Sequence, residues 1–341
     1  MRAALYCYFG QIKTVGLDGI PKKGPLLFLP NHQNALLDAL LIAVNCRRKP
    51  YFLTRSDVFS NALFRSFFAF FHMLPVYRFR DGRDTLKKNE EIFQRCAELL
   101  CQGEAVVVFP EANHHLDRRV RPLSKGFTRI LFQALNQCKG QDILLLPVGV
   151  NYLRAADFPD LTSLYYGQTF PVLPLYDPED LRNSVMRIRN KVSLQLQTLT
   201  THVPEGKNYE QLMAYLTSMG FDFQDPIKIN QTIADLPDYI EMESDKVKQP
   251  GPPVVLKVIF YLINFPLLIP WLWIKKKRVP EREFTSTFRF AYAFLVYPVV
   301  YLLSFFLLGS TMGYALALIL ISLHFGCNQI YIKSIRTSGK S

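Results

Sequence analysis

Between residues 24 and 172, short apolar runs alternate with longer stretches of helical pattern. The apolar runs are GPLLFLP (24–30), PYFLTR (50–55), MLPVYR (73–78), EAVVVFP (104–110), DILLLPVGV (142–150) and SLYYGQTFPV (163–172). Most are bounded by proline, glycine or charge, as buried strands are. The helical stretches are 34–45, 59–71, 84–102 and 124–137, and a further helix is predicted after this region at 177–199. This alternation predicts an α/β domain with a mostly parallel sheet flanked by helices.

The C-terminal part of the chain has a different composition, with apolar stretches at 254–274, 290–308 and 314–332. The last two are close to the roughly 20 residues that cross a bilayer. The small residues between them, GSTMG (309–313), predict a tight turn and hence a transmembrane helical hairpin. The first stretch contains two prolines, and we interpret it as an interfacial or re-entrant segment. Three full spans, or buried helices of a soluble protein, are the alternatives.

These patterns divide the chain into three parts. Residues 1–203 form the α/β domain, 204–251 a polar helical extension and linker with a helix at 207–219, and 252–341 the membrane region. The first 16 residues are either an amphipathic helix against lipid or an ordinary first helix of the domain.

The charge balance favours anionic partners, since 40 Lys and Arg against 28 Asp and Glu give +12. With 49% hydrophobic residues, membrane lipids are expected rather than nucleic acid, for which zinc-like spacing and RNA-binding aromatic motifs are absent. Basic residues flank the hairpin on both sides, which predicts a catalytic domain on the cytoplasmic face. The six cysteines include no C-x-x-C pair and are expected to be reduced thiols.

The segment PNHQNALLDALL (30–41) carries a histidine and an aspartate in an apolar run. It follows a strand, and Asn31 suits the N-cap of a helix that begins near Asn34. A separation of six residues does not place His32 and Asp38 on one helix face, so His32 should lie in the loop with Asp38 reaching back. A carboxylate on one imidazole nitrogen leaves the other as a general base. A capping histidine, with the aspartate paired elsewhere, is the alternative.

Three further segments carry polar residues at strand ends. Arg78 and Arg80 follow MLPV, and arginine suits phosphate binding. Glu111 follows VVVFP, where a carboxylate can bind a substrate hydroxyl, and LLPVGVNY (145–152) is another buried strand. Solvated arginines, a capping glutamate and a core strand are the alternatives.

In this order the segments resemble the glycerolipid acyltransferase superfamily over roughly residues 10–175. NHQNALLD, HMLPVYR, FPEANHH and LPVGVNY stand where that family has N-H-x-x-x-x-D, G-x-x-F-I-x-R, F-P-E-G-T-R and a V-P-V-x-x-x-Y-like strand. One extra residue separates His32 from Asp38, as in a subset similar to glycerol-3-phosphate and dihydroxyacetone-phosphate acyltransferases. His72 replaces a glycine in the second motif, and the third lacks its glycine and arginine.

The resemblance implies roles for particular residues. His32 would be the general base and Asp38 would orient it, while main-chain N–H groups near Asn34 are one candidate for stabilising the oxyanion. Substrate binding is assigned to Arg78, Arg80, Glu111, Asn113 and Lys125, supported by Asn31 and Pro110. Arg80, Arg118, Arg119, Arg121 and Lys125 are bases that could supply the charge missing from the third motif.

The expected protein is a membrane-bound O-acyltransferase of phospholipid synthesis. It would move a fatty acyl chain from acyl-CoA or acyl carrier protein to a glycerol phosphate, with no metal and no further cofactor. The first-choice acceptor is 1-acyl-glycerol-3-phosphate (lysophosphatidate). The alternatives are glycerol 3-phosphate as acceptor and a catalytically degenerate membrane scaffold protein.

Overall fold

A computed structural model describes residues 1–56, 72–77, 85–138, 140–237, 251–279 and 281–335. Its strands are β1 (Gln11–Val15), β2 (Leu26–Pro30), β3 (Tyr51–Arg55), β4 (Met73–Val76), β5 (Ala105–Val107), β6 (Leu144–Tyr152), β7 (Leu161–Tyr166) and β8 (Phe170–Pro171). Its α-helices are α1 (Arg2–Tyr8), α2 (Ala35–Asn45), α3 (Thr85–Cys101), α4 (Gly126–Gln137), α5 (Leu181–Leu199), α6 (Tyr209–Ser218), α7 (Pro226–Asp235), α8 (Val254–Arg278), α9 (Thr285–Met312) and α10 (Tyr314–Lys333).

The strands form one mixed sheet in the order β1-β7-β6-β2-β5-β3-β4, with β8 beside β6. The five strands from β6 to β4 are mutually parallel, whereas β7 and β8 run antiparallel to β6. The mostly parallel α/β sheet is therefore confirmed. Because the five strands share one direction, the segments that follow them emerge at one edge of the sheet, where ligands bind in such folds.

The central strand β2 is buried along its whole length, which explains its unbroken apolar sequence. Leu26 and Phe28 face one core, which includes residues of α1 and α2. Leu27 and Leu29 face the other core, which includes residues of α3, α4 and α5. Helices thus cover both faces of the sheet.

Several boundaries differ from the sequence interpretation. The first 16 residues are not one helix, because α1 ends at Tyr8 and the polar segment QIKTV pairs as β1 with β7. The run 163–172 is interrupted and contributes to two strands. Helix α7 was not predicted, although Asp225 caps it and proline stands at its first position. The predicted helix 59–71 lies outside the described residues.

The expectation of six reduced thiols is wrong for two cysteines. Cys101 and Cys138 form a disulfide with their Cα atoms 5.2 Å apart, while the other four are free. Helices α3 and α4 lie side by side in the same direction, with Gln137 bonded to Gln94 and Arg129 to Glu90. Their C-terminal ends therefore meet and bring the two thiols within bonding geometry, which sequence spacing could not reveal.

The membrane region consists of α8, α9 and α10, all long and apolar enough to cross a bilayer. Helix α8 is continuous through Pro266 and Pro270, so no break divides it into re-entrant halves. Only Gly313, with φ +90°, separates α9 from α10. The hairpin helices are thus longer than predicted, and the interfacial placement of 254–274 stays a prediction.

Polar side chains join the three long helices. Asn264 of α8 is fully buried, donates to Asn328 Oδ1 of α10 (2.7 Å) and accepts from the Tyr297 hydroxyl of α9 (2.7 Å). Hydrogen bonds of this kind hold helices together in a medium that offers no water. The three helices therefore form one bundle.

The bundle also packs directly against the α/β domain. Lys333 at the end of α10 donates to the carbonyls of Tyr6 and Phe9, at the end of α1 (2.7 and 2.8 Å). In the β6–β7 connection, the Phe158 ring lies among aromatic rings of both parts, 5.3 Å from Tyr8 and 6.0 Å from Phe260. The predicted division at residues 203/204 separates no independent core, because α6 and α7 pack with Leu153 and Leu161.

Candidate active site

The histidine and the aspartate of the first motif meet at the carboxyl end of β2. His32 lies in the loop before α2, and its Nδ1 is 2.8 Å from Oδ2 of Asp38, in the first turn of the helix. This is the arrangement expected from their six-residue separation. Residues six apart in one regular helix would lie on different faces. Because His32 lies in the loop before α2, its side chain can reach Asp38.

The Asp38 carboxylate is fully buried and accepts four hydrogen bonds. Besides His32 Nδ1, the N–H groups of Gln33 and Asn34 donate to Oδ2 (2.9 and 2.8 Å), and the Tyr152 hydroxyl donates to Oδ1 (2.6 Å). Since the carboxylate only accepts, Nδ1 of His32 carries the proton and Nε2 has a free lone pair. Nε2 has no hydrogen-bond partner among the described residues.

Two expectations for this loop are corrected by these contacts. The N–H groups of Gln33 and Asn34 bind Asp38, so they are not available to an oxyanion. Asn31 does not cap α2, because its side chain exchanges two hydrogen bonds with the main chain of Val150 in β6 (3.0 and 2.7 Å). Asn31 supports the site by tying the loop to the neighbouring strand.

The start of α2 has an irregular backbone. Asn34 occupies the N-cap position without a side-chain cap, and Ala35 has a left-handed backbone with φ +44°. Such a conformation costs roughly 1–2 kcal/mol for a non-glycine residue and persists only where surrounding contacts hold it. The hydrogen bonds to Asp38 and to β6 are those contacts.

The His32 ring contacts two rings from the third motif. It stacks on Phe109 with ring centroids 4.0 Å apart, and the His114 ring stands edge-on at 5.6 Å. The His32 side chain keeps 16% of its surface exposed, which leaves a route to the imidazole. Burial and the neighbouring His32 lower the pKa of His114.

Glu111 follows β5 at the same edge, and its side chain is 95% buried beside Arg121. Its Oε2 accepts from Arg121 Nε at 2.9 Å, and only 5% of the side chain is exposed. Burial raises the pKa of Glu111 to about 7, although Arg121 opposes this shift. Arg121 also donates to the main-chain carbonyl of Asn113, and Pro110 is buried with its carbonyl accepting from Ser124 N (2.7 Å).

Ala112 has φ +62°, a left-handed conformation that favours glycine. It occupies the position where the third motif of the resembled family has glycine. The local backbone shape is therefore that of a glycine turn, built here with alanine.

The other basic residues considered for substrate binding have different environments. Arg118 is buried and donates to the carbonyls of Tyr152 and Leu153, and its guanidinium lies 3.9 Å from the centre of the Phe223 ring. Arg119 donates to the carbonyl of Val203 (2.9 Å). Both therefore have structural contacts.

The remaining assigned residues are less constrained. The side chains of Asn113 and Lys125 are exposed and have no side-chain hydrogen bond among the described residues. Arg78 and Arg80 lie outside the described residues, so their roles stay predictions. In the described part of the chain, no group of three or more His, Cys, Asp or Glu side chains could hold a metal ion.

Sequence reasoning did not assign Tyr152 and Phe109, which both contact the histidine–aspartate pair. The signal for Tyr152 was its place at the end of a buried strand that pairs with β2 in parallel. Phe109 directly precedes Pro110 and Glu111 of the third motif. Both residues lie in the motif segments FPEANHH and LPVGVNY, but only the strand order shows that they contact the pair.

Comparison with known proteins identifies a family domain in this part of the chain. Residues 11–151 match the family model described as Acyltransferase. One curated relative is described as an uncharacterized acyltransferase from Schizosaccharomyces pombe, 24% identical over 126 residues, which are 36% of this chain and 18% of that protein. Another is glycerol-3-phosphate O-acyltransferase 1 from Saccharomyces cerevisiae, 23% identical over 131 residues, which are 37% of this chain and 17% of that protein.

The matched segments thus span less than a fifth of either curated relative. Among solved structures, the crystal structure of the 1-acyl-sn-glycerophosphate (LPA) acyltransferase PlsC from Thermotoga maritima aligns with a TM-score of 0.41 at 18% identity, over 57% of this chain and 75% of that chain. The family match runs from β1 into β6 and includes His32, Asp38 and Glu111. Residues 11–151 therefore carry a domain that matches the acyltransferase family.

Proposed function

We propose that this chain is a membrane-bound O-acyltransferase that transfers a fatty acyl group from an acyl thioester to the hydroxyl of a glycerol phosphate. The observation that carries the proposal is the hydrogen bond between His32 Nδ1 and Asp38, which leaves Nε2 free at the edge of the sheet. The acyltransferase match over residues 11–151 includes both residues.

The reaction follows from this arrangement. His32 Nε2 takes the proton of the acceptor hydroxyl as that oxygen attacks the thioester carbonyl. Asp38 holds the imidazole and stabilises the imidazolium that forms. When the tetrahedral intermediate collapses, the C–S bond breaks and the imidazolium returns its proton to the thiolate. The products are an ester and a free thiol, and no acyl-enzyme is required.

We favour 1-acyl-glycerol-3-phosphate as the acceptor. The first turn of α9, an apolar helix long enough to cross a bilayer, contacts the loop that carries His32. An acceptor that resides in the bilayer would therefore meet the site at the membrane surface. Glu111 would bind the glycerol part, Arg78 and Arg80 the phosphate, and the donor would be acyl-CoA or acyl carrier protein. Asn113 and Lys125 belong to the same proposed binding surface, on a domain that faces the cytoplasm.

Glycerol 3-phosphate is the second candidate acceptor. The curated relative from Saccharomyces cerevisiae is named a glycerol-3-phosphate O-acyltransferase, and the six-residue spacing between His32 and Asp38 supports the same alternative. The hydrogen-bonded pair argues against a catalytically degenerate scaffold, because a buried carboxylate so fully satisfied around one imidazole is the arrangement of a general base.

The test is a radiolabelled acyl-transfer assay on membranes that contain the full chain. Each acceptor is offered separately with acyl-CoA and with acyl carrier protein, and His32→Ala is run beside the wild type. We expect transfer to one acceptor, reduced about 10²–10⁴-fold in the variant. Transfer to neither acceptor by folded wild-type protein, or full activity of His32→Ala, would contradict the proposal.

A further inference from the structure

The first turn of α9 lies against the loop that carries the histidine–aspartate pair. Ser286 Oγ donates to the carbonyl of Ala155 at 2.6 Å, and Thr287 Oγ1 donates to the carbonyl of Asn34 at 3.3 Å. Ser286 is 1% exposed, so its hydroxyl is fixed inside the protein. The contact between membrane helix and domain is therefore specific and polar, and it falls beside the site.

Asn34 connects this contact to Asp38. Its side-chain amide donates to the same Ala155 carbonyl that accepts from Ser286, at 3.0 Å. Its main-chain N–H donates to Asp38 Oδ2 at 2.8 Å, and the residue is fully buried. A continuous set of hydrogen bonds thus runs from the membrane helix to the carboxylate that orients His32.

The loop needs such support because its backbone is strained. Ala35, directly after Asn34, is left-handed, and Ala155 is left-handed too, with φ +54°. Strained backbone of this kind relaxes when its surroundings loosen. Loss of the two hydroxyls would allow Asn34 to move, and a small displacement of a catalytic group costs rate even when the group itself is unchanged.

The turn before α9 contacts His114, a neighbour of His32. Glu281 Oε2 lies 3.5 Å from His114 Nε2, and the Phe284 ring is 4.5 Å from the His114 ring. His114 in turn stands edge-on to His32. Residues 281–287 therefore contact neighbours of both His32 and Asp38.

We infer that Ser286 and Thr287 are positioning residues for the His32–Asp38 pair, so that helix α9 is a working part of the catalytic site as well as a membrane segment. This inference rests on the proposed acyl transfer. A residue that only packs the helix against the domain has no such role. Removal of the two hydroxyls should therefore lower kcat more than it changes KM.

The experiment compares two double variants of the full chain. Ser286→Ala with Thr287→Val removes the two hydroxyls at the site. Ser310→Ala with Thr311→Val removes the same two groups from the other end of α9, where they are exposed and bond only to carbonyls of their own helix. Thr287→Ser, which keeps a hydroxyl, tests rescue by the conservative change.

Two quantities are measured for each variant. The first is the steady-state rate, for which we expect the site variant to lose about tenfold in kcat with KM changed less than about twofold. The second is the NMR signal of the His32 Nδ1–H proton in ¹⁵N-histidine-labelled protein, assigned by its loss in His32→Ala. We expect this signal to shift or broaden in the site variant only, and Thr287→Ser to resemble the wild type.

The two measurements separate this inference from the proposed function. If the wild type transfers no acyl group, the proposed function fails, while an altered Nδ1–H signal in the site variant still supports positioning. An unchanged signal together with unchanged kcat overturns the inference. Equal losses in the site and control variants overturn it as well, because the effect would then belong to the helix as a whole.

Discussion

The loop of residues 31–38 and the segment of residues 109–121 lie at the same edge of the sheet but are held in different ways. The loop is tied to strand β6 and to its own helix by buried hydrogen bonds. The segment is partly exposed. Its side chains form ion pairs, Arg121 with Glu111 inside the segment and His114 with Glu281 in the turn before α9.

This difference assigns different tasks to the two regions. Hydrogen bonds to a strand do not exchange partners readily, so in the proposed reaction the loop would provide fixed geometry for proton transfer. The ion pairs of the segment reach solvent through Arg121, which is 28% exposed, and Glu281, which is 64% exposed, so these two side chains can exchange partners with a substrate phosphate or hydroxyl. Changes in the loop should therefore act mainly on kcat, and changes in the segment mainly on the acceptor KM.

The largest effect is expected for Asp38→Asn in the loop. The amide keeps the shape but loses the charge that stabilises the imidazolium, so kcat should fall about 10²–10⁴-fold with little change in KM. The control is Asp160→Asn, since Asp160 is also a buried carboxylate that accepts two main-chain hydrogen bonds but does not contact His32. A rise in KM with unchanged kcat would contradict the assignment of the loop to proton transfer. Equal falls in kcat for both variants would contradict it as well.

A middle-sized effect is expected at Glu111. Burial raises its pKa to about 7, so the group is mostly protonated at pH 6 and mostly a carboxylate at pH 8. If the carboxylate accepts from the acceptor hydroxyl, KM should fall as the pH rises through about 7, by up to about tenfold.

Glu111→Gln is the matched variant because it cannot ionise. The acceptor phosphate titrates in the same range, but it does so equally for both proteins, so the ratio of their KM values isolates Glu111. That ratio should change between pH 6 and pH 8, and a constant ratio would contradict the role. Because burial opposes ionisation of Glu111, the wild type should also lose stability over the same rise in pH, whereas Glu111→Gln should lose less.

Much of the fold could be read from the sequence because the central strands are buried on both faces. Continuous apolar runs such as LLFLP identify β2 without knowledge of its neighbours. The polar strand β1 could not be found in this way, since it is recognised only by pairing with β7. The disulfide between Cys101 and Cys138 could not be predicted for a similar reason, because it depends on how two helices pack.

The same distinction applies to the site. The spacing between His32 and Asp38, with a strand before them, was enough to place the pair in a loop and first turn. Partners that arrive from other elements, namely Tyr152 from β6 and Ser286 from α9, depend on strand order and on docking of the membrane bundle. Residue patterns within one segment carry no information about either.

The smallest effect is expected for Tyr152→Phe, which removes one of the hydrogen bonds that hold Asp38 in the loop. The hydroxyl donates to Asp38 Oδ1 but contacts no other part of the pair, so its removal leaves three of the four hydrogen bonds to the carboxylate. We expect kcat to fall only about three- to tenfold, the scale of one hydrogen bond. Because Tyr152 lies on β6 rather than in the segment 109–121, the acceptor KM should stay constant. A rise in KM instead would show that β6 contributes to acceptor binding, and the two regions would then share that task.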